Sequence, residues 1–323
     1  MRYSSTSLII ILHLATYSAA LLPHKFSSIV FSASSATRLS SYWRSCISST
    51  KYPGTRFLTL SDPKMTNAKY EKYAMIAIEA VLKSCKIAAH IRKSLSSNQT
   101  MSKADASPVT IADLAVQTII ADSLYNSDIE SKLILAEEDI ENTPHNFLEK
   151  VAAKLNMRSD TAKEWDVERM KSLFKKTQLS EEMLSNPSFQ GNPYWVLDPI
   201  DGTKGFLQKG GQYAIALAYM EEGVPVIGIL GSPNLSHNLS TPIEGQGCIA
   251  FAIRNKGSKI LYFDFLSDAV QIGNFSSDLF DKAERLQTST PHNLPSIKVV
   301  ESSDGSHSDQ NFSAKIMTKV QLY

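Results

Sequence analysis

The chain has 323 residues, of which 43% are apolar and 20% are charged, and its formal net charge is +1. These values are typical of a globular protein with one large domain or two smaller ones. The near-zero net charge argues against a nucleic-acid-binding protein, which usually carries a strongly basic surface. Three cysteines without a CxxC pair argue against a disulfide framework or a structural zinc site.

Residues 1–64 are predicted to be a targeting leader. Acidic residues are absent before Asp62, whereas six basic residues occur there: Arg2, Lys25, Arg38, Arg44, Lys51 and Arg56. The apolar run Leu8–Leu14 resembles a signal-peptide core and is too short to span a membrane. The Ser- and Arg-rich part behind it resembles a transit peptide. We expect import into a plastid or mitochondrion; the alternatives are a cytoplasmic form that starts at Met65 and a leader without an address.

Two helices and a strand are predicted next. Residues 68–95 carry apolar side chains at spacings of four and three, which predicts an amphipathic helix. A second helix follows Pro108–Asp113, with Ile119, Ile120 and Leu124 as its apolar face. The apolar run Leu133–Ala136 has the length of a strand, and residues 141–190 indicate helical pieces in an insertion or lid.

The second half of the chain is predicted to be rich in strands. Its predicted elements are a hairpin of Tyr213–Met220 and Val224–Leu230, a second pair of strands at Cys248–Ile253 and Lys259–Phe263, a strand at Lys298–Val300 and a helix at Ser313–Val320. Helices followed by strands and then mixed elements indicate an α+β or layered α/β protein.

The most informative stretch is WVLDPIDGTKGF, from Trp195 to Phe206. An apolar strand would end at Asp198, and Asp201 would follow after a Pro-Ile corner. Two carboxylates this close repel each other unless a cation lies between them, and Mg²⁺ prefers carboxylate, water and phosphate oxygens. Gly202 permits close approach of the backbone to a ligand. A lone Asp-Gly is more often a turn, but the complete run favours a metal and phosphate site.

Other acidic positions support this site only in combination. Glu137 and Glu138 follow the predicted strand, where paired acids are usually solvated. Asp113 lies at a helix start, where the helix dipole favours an acid and Thr110 offers simple capping. Each position alone has this ordinary explanation, whereas their occurrence together favours a metal-dependent site.

Three motifs carry a resemblance to a known family. The runs SPVTIAD, LAEED and WVLDPIDGTKGF resemble the inositol monophosphatase-like, lithium-sensitive, Mg²⁺-dependent phosphatases. The TKGF ending, the run Gln212–Leu235 and the run ESSDGSHS are similar to the 3'(2'),5'-bisphosphate nucleotidase branch. The resemblance covers the chain from about residue 68 and implies a layered α-β-α-β-α sugar-phosphatase fold of the α+β class.

The resemblance also implies roles for individual residues. The expected metal ligands are Glu137, Asp198, the Ile200 carbonyl and Asp201. Asp113 and Thr203 would orient and deprotonate the attacking water, with Thr110 supporting Asp113. The expected substrate contacts are Gly202, Thr203, His307 and Ser308. For His307 alone, an exposed loop histidine is an equally good interpretation.

The expected activity is hydrolysis of the 3'-phosphate of 3'-phosphoadenosine 5'-phosphate to AMP, a step of sulfur metabolism and nucleotide salvage, with two or more Mg²⁺ ions. The expected partner is this small bisphosphorylated nucleotide, without nucleic acid or stable membrane insertion, and we expect a monomer. An inositol polyphosphate 1-phosphatase is the alternative within the family.

One departure from the family pattern concerns the C-terminal part. The chain stops at Tyr323 without the C-terminal Trp-Asp motif whose aspartate completes the second metal site in the family, since its one Trp-Asp pair, Trp165–Asp166, precedes the WVLDPIDGTKGF run. We therefore expect a C-terminally truncated member, with an N-terminal metal-binding subdomain at 65–235 and an incomplete C-terminal subdomain at 236–323. A noncatalytic protein that binds nucleotide or metal is the competing interpretation.

Overall fold

A computed structural model of the chain describes residues 63–94, 100–102, 108–136, 138–157, 164–208, 211–238, 243, 245–267 and 281–287. Several predictions therefore lie outside the described residues: the leader up to residue 62, Glu137, the strand Lys298–Val300, the helix Ser313–Val320, His307 and Ser308.

The described helices agree with the predicted order, apart from a short helix at Thr203–Leu207 that was not predicted. They are α1 (Pro63–Lys93), α2 (Ile111–Tyr125), α3 (His145–Asn156), α4 (Val167–Thr177), α5 (Glu181–Ser185) and α6 (Thr203–Leu207), with a 3-10 helix at Pro187–Phe189. The helical pieces expected within 141–190 are confirmed as α3 to α5. Within the described ranges, no helix is both long and apolar enough to cross a bilayer.

The strands in the described part of the chain form two sheets. β1 (Thr100–Ser102) and β2 (Pro108–Thr110) make a small antiparallel pair. The large sheet has seven strands in sequence order: β3 (Ile134–Ala136), β4 (Tyr194–Asp201), β5 (Ala214–Glu221), β6 (Val224–Ser232), β7 (Gln246–Ile253), β8 (Gly257–Asp264) and β9 (Glu284–Leu286). β3 runs parallel to β4, and all other neighbours are antiparallel. The two predicted strand pairs are confirmed as β5–β6 and β7–β8.

The main core lies between the large sheet and the helices. α1 packs on β5, β6 and β7, while α2 packs on β4 and α1 and is covered by α3 and α4. On β5, alternation of side chains places Ile215, Leu217 and Tyr219 in this core. The opposite face contributes Ala218 and Met220 to a smaller cluster. The sheet is therefore buried on both faces at β5.

α2 is buried on more sides than its sequence indicates. The predicted apolar face is only part of the buried surface, because α2 lies between the sheet and two outer helices and therefore buries residues around most of its circumference. Even Gln117 and Thr118 are buried. The prediction of a single apolar face was thus too narrow.

The subdomain boundary predicted after Leu235 falls between two adjacent strands of one sheet. β6 ends at Ser232, and β7 pairs with it from Cys248 to Ile253. The hydrogen-bonded sheet thus crosses this position, and the division at residue 235 stays a prediction.

A polar cluster ties the N-terminal part of α1 to the β5–β6 turn. Lys69 Nζ lies 2.7 Å from Glu130 Oε2 and 2.9 Å from Glu221 Oε1. The Tyr70 hydroxyl donates a hydrogen bond to Glu221, and the Tyr73 hydroxyl accepts one from the Glu130 amide at 2.8 Å. These contacts fix this end of α1 against the sheet.

Tyr70→Phe is expected to reduce stability below pH 10 and to matter less at higher pH. Burial, together with the hydrogen bond to Glu221, raises the pKa of Tyr70 from 10.0 to about 12. A folded-state pKa above the unfolded value means that the stabilisation is fully present below pH 10 and is lost as the pH rises through 12. Urea unfolding of both proteins between pH 8 and 12 measures this, and a difference in unfolding free energy that stays constant with pH would contradict it.

Candidate active site

A β-bulge in β4 brings two aspartates to the same face of the sheet. Asp198 pairs with Ala216 of β5 and Asp201 pairs with Ala214, so three steps along β4 oppose two steps along β5. Residues three apart in a regular strand point to opposite faces. The extra residue corrects this difference, and both carboxylates project from one face.

This geometry corrects the predicted corner. The strand was predicted to end at Asp198, whereas β4 continues to Asp201 and bends at the bulge. Pro199 and Ile200 lie inside the bulge and are buried. Proline is tolerated there because a bulge leaves one residue out of the hydrogen-bond ladder.

The parallel pairing of β3 and β4 brings a second acidic segment to the same sheet edge. Ala136 pairs with Leu197, so the residue before Glu137 lies beside the residue before Asp198. Glu137 itself lies outside the described residues. The side chain of the next residue, Glu138, is buried, and its backbone carbonyl accepts a hydrogen bond of 3.0 Å from Gln117 Nε2.

The chain turns sharply after the bulge. Gly202 has a φ of 84° in the left-handed region, where glycine carries no steric cost. α6 begins at the next residue, Thr203, whose hydroxyl donates to the Ile200 carbonyl at 3.3 Å. Two carboxylates, a carbonyl and a hydroxyl therefore follow one another within six residues of backbone.

Glycines let a neighbouring segment approach α6 closely. A Cβ atom at Gly205 would lie 2.0 Å from the Gln212 carbonyl oxygen, and one at Gly211 would lie 2.2 Å from the Gly205 carbonyl oxygen. The buried Asn234 holds residues 211–212 in place. Its side-chain Nδ2 donates to the Gly211 carbonyl at 2.9 Å, and its backbone carbonyl accepts a hydrogen bond from Gln212 Nε2 at 3.0 Å. α6 is thus packed tightly against residues 211–212.

Asp113 lies in the first turn of α2 and is 4% exposed. α2 packs on the main-core face of β4, whereas the register places Asp198 and Asp201 on the opposite face with Ala216. This packing alone therefore does not bring Asp113 beside the two carboxylates. Thr110 closes β2 directly before α2 and pairs with Thr100, while its side chain is outside the described part of the chain.

The oxygen donors of the bulge match the ligands that Mg²⁺ prefers. Asp198, the Ile200 carbonyl and Asp201 offer oxygen only, and Asp198 Oδ1 has less than 1 Å² of accessible surface. Among the described residues, no group of three His, Cys, Asp or Glu side chains forms a metal cluster. A set completed by Glu137 would include a residue outside the described part of the chain.

The match to a known family agrees with these features. The sequence model described as "Inositol monophosphatase family" matches residues 63–320. The chain belongs to the inositol monophosphatase family. The match begins at the first residue of α1 and includes every described element. The fold predicted from the resemblance is therefore confirmed at the level of this family, as a mixed α/β protein with a seven-stranded sheet.

Curated relatives in this family carry one recurring name. A Dictyostelium discoideum protein named "3'(2'),5'-bisphosphate nucleotidase" is 36% identical over 216 residues, which cover 66% of this chain and 62% of that protein. "3'(2'),5'-bisphosphate nucleotidase 1" of Arabidopsis thaliana is 29% identical, with 78% and 70% covered. The chain spans less than two thirds of the Dictyostelium relative. The crystal structure of CysQ from Bacteroides thetaiotaomicron aligns at 19% identity, with a TM-score of 0.43 and with 78% and 71% covered.

Within the family fold, two residues at the site were missed by the sequence analysis. Gln117 follows Asp113 by one helical turn and holds the Glu138 carbonyl, and only that spacing of four could have indicated it. Arg92, in the last turn of α1, is 9% exposed and donates to the Phe206 carbonyl of α6 and to the carbonyl of Gln208, the residue that follows this helix. Nothing local in the sequence indicates a contact between residues 114 positions apart.

Proposed function

We propose that the protein hydrolyses the 3'-phosphate of 3'-phosphoadenosine 5'-phosphate and releases AMP and phosphate, with Mg²⁺ as cofactor. The observation that carries the proposal is the bulge of β4, because it places the carboxylates of Asp198 and Asp201 on one face directly before the Gly202 turn. Closely spaced carboxylates followed by a glycine turn suit a cation and a phosphate together.

The choice of nucleotide as substrate is supported by the relatives. The Dictyostelium and Arabidopsis proteins, together with one from Candida albicans that is 31% identical, are all named 3'(2'),5'-bisphosphate nucleotidases. The run Gln212–Leu235, which includes β5 and β6, carries the resemblance to that branch in this chain.

The ligands proposed for Mg²⁺ are Asp198, the Ile200 carbonyl, Asp201 and Glu137. Bound Mg²⁺ would supply positive charge that stabilises the anionic transition state of phosphoryl transfer. The backbone at Gly202 approaches a phosphate oxygen without side-chain hindrance. We assign to Thr203 and Asp113 the orientation of a water molecule and the removal of its proton. The water oxygen bonds to phosphorus, the bond from phosphorus to the ribose 3' oxygen breaks, and the leaving oxygen takes up a proton.

Phosphate release from the purified full-length protein tests this proposal. In Mg²⁺, we expect turnover with 3'-phosphoadenosine 5'-phosphate to exceed turnover with inositol 1,4-bisphosphate, and we expect Li⁺ to inhibit it. Faster turnover of the inositol bisphosphate would favour the inositol polyphosphate phosphatase instead. Binding of the nucleotide without any release of phosphate would favour a noncatalytic protein.

Gly205→Ala is expected to impair both folding and phosphate release. The new Cβ would lie 2.0 Å from a backbone oxygen, so α6 or residues 211–212 must shift, and such overpacking costs about 1–3 kcal/mol. The shift also displaces Thr203, which lies two residues earlier in the same short helix. Urea unfolding and phosphate release of the folded variant measure the two effects.

Gly223→Ala is the matched control. Gly223 has a φ of 74° in the β5–β6 turn, and a Cβ there would meet nothing within 4 Å. Gly223→Ala should therefore lower the free energy of unfolding only through the strain of an alanine in the left-handed region, about 1–2 kcal/mol. The folded control should keep its phosphate release; full activity of Gly205→Ala would contradict the assigned role of α6.

The N-terminal 64 residues are proposed to direct the protein to a plastid or mitochondrion and to be removed there. Their lack of acidic residues before Asp62 supports this. N-terminal sequencing of the protein from cells should find a first residue between Ala20 and Met65, and a cytoplasmic pool with intact Met1 would overturn it.

A further inference from the structure

The helix that carries Thr203 needs support from outside itself. α6 has five residues and no side-chain cap at its N-terminus. Isolated helices this short are not stable in water, because the free energy lost in ordering the first turn exceeds the free energy gained from one or two hydrogen bonds. Its position must therefore be set by tertiary contacts.

Arg92 supplies such contacts at the far end of α6. Its Nε donates to the Phe206 carbonyl at 3.0 Å and its Nη2 donates to the Gln208 carbonyl at 2.5 Å. The last carbonyls of a helix have no partner within the helix, and hydrogen bonds from a charged donor are stronger than neutral ones. The guanidinium also carries positive charge at the C-terminal end of α6, where the helix dipole favours it.

The same guanidinium fixes the segment on the other side of α6. Its carbon lies 5.4 Å from the centre of the Tyr213 ring, which in turn meets the buried Phe206 ring edge to face at 4.8 Å. Gly205 is pressed against the Gln212 carbonyl on this side. Arg92 thus joins α1, α6 and Tyr213 in one cluster, in which the side chains of Arg92, Phe206 and Tyr213 are buried.

We propose that Arg92 is a positioning residue for the phosphate-contacting turn Gly202–Thr203. Arg92 contacts the Phe206 and Gln208 carbonyls at the opposite end of α6 and acts through that helix. The inference rests on the proposed function, because it assigns a purpose to the placement of α6 in phosphate binding. Asp198 and Asp201 lie on β4 rather than on α6. The positions of their carboxylates are therefore not set by the contacts of Arg92 with α6.

Two substitutions at Arg92 test this role. Arg92→Met keeps much of the apolar stem and removes both hydrogen bonds, whereas Arg92→Lys keeps the charge but not the two-pronged geometry. We expect inhibition by inorganic phosphate to weaken at least about tenfold in Arg92→Met and less in Arg92→Lys. The Mg²⁺ affinity measured by calorimetry should change less than about threefold, because the carboxylates stay in place.

Two controls separate positioning from general instability. Lys93→Met removes the neighbouring exposed charge, and Ile78→Val removes one methylene from the buried face of the same helix. Both should leave phosphate inhibition unchanged. Loss of phosphate affinity in Ile78→Val equal to that in Arg92→Met would overturn the proposal.

Hydrogen exchange of the peptide 203–208 gives a reading that does not require activity. The Phe206 amide donates to the Gly202 carbonyl and the Gln208 amide to the Lys204 carbonyl, so both amides should exchange faster in Arg92→Met. Unchanged exchange and unchanged phosphate affinity would overturn the role of Arg92. A wild-type chain that neither binds nor releases phosphate would overturn the proposed function, and exchange would still decide whether Arg92 fixes α6.

Discussion

Asp198→Asn is expected to lower phosphate release by a factor on the order of 1,000 while leaving the protein folded. Asparagine keeps the shape of the side chain but removes the negative charge that a cation requires. Transition-state stabilisation by a metal is worth several kcal/mol, and about 4 kcal/mol corresponds to this factor. Asp198 lies at the start of the bulge, where the register places it beside Asp201 on one face. Phosphate release and calorimetric Mg²⁺ titration measure the two losses.

Asp128→Asn is the matched control for this experiment. Asp128 is exposed and forms an ion pair with Lys72 at 2.5 Å, and exposed pairs contribute little to stability. The control should therefore retain phosphate release and Mg²⁺ binding. If Asp198→Asn bound Mg²⁺ as tightly as Asp128→Asn, the metal role of the bulge would be wrong.

Trp195→Ala is expected to lower the free energy of unfolding by about 3–5 kcal/mol, as for other buried Trp truncations. The Trp195 side chain is fully buried, its Nε1 donates to the Ser131 carbonyl at 3.0 Å, and its ring lies 4.9 Å from the ring of Tyr219. Removal leaves a cavity in the main core beside Tyr219, together with a buried Ser131 carbonyl that has lost its donor. Urea unfolding measures the loss.

Two further variants divide this loss into its parts. Trp195→Phe keeps most of the volume and removes the hydrogen bond, so it should cost about 1–3 kcal/mol. Tyr262→Ala truncates a side chain that is 39% exposed on β8 and should cost less than Trp195→Ala. A loss below 1 kcal/mol in Trp195→Ala would contradict the packing described for β4.

The hairpins could be predicted from the sequence because their signals are local. Glu222 and Gly223 both have positive φ values, 52° and 74°, which is the geometry of a tight hairpin turn between twisted strands. A glycine between two apolar runs of strand length therefore predicted β5 and β6 closely. The second turn follows the same logic, with Asn255 and Gly257 at positive φ.

The site could be predicted in composition but not in geometry. The motif around Asp198 identified the acidic residues, but the bulge depends on pairing with β5, in which Ala216 and Ala214 oppose Asp198 and Asp201. The link from Arg92 to Phe206 and the near-complete burial of α2 depend in the same way on distant parts of the chain. Periodicity and spacing within one segment do not contain such information.

α1 is anchored at two distant points, and this fixes its length. Lys69 is tied to Glu221 near one end, and Arg92 is tied to α6 near the other. At 1.5 Å per residue, the 23 steps between them span about 35 Å of helix axis. Deleting one residue would rotate one anchor by about 100° relative to the other and shorten the distance by about 1.5 Å. Evolution of this segment should therefore proceed by substitution, whereas single-residue insertions and deletions should be rejected because they cannot satisfy both anchors at once.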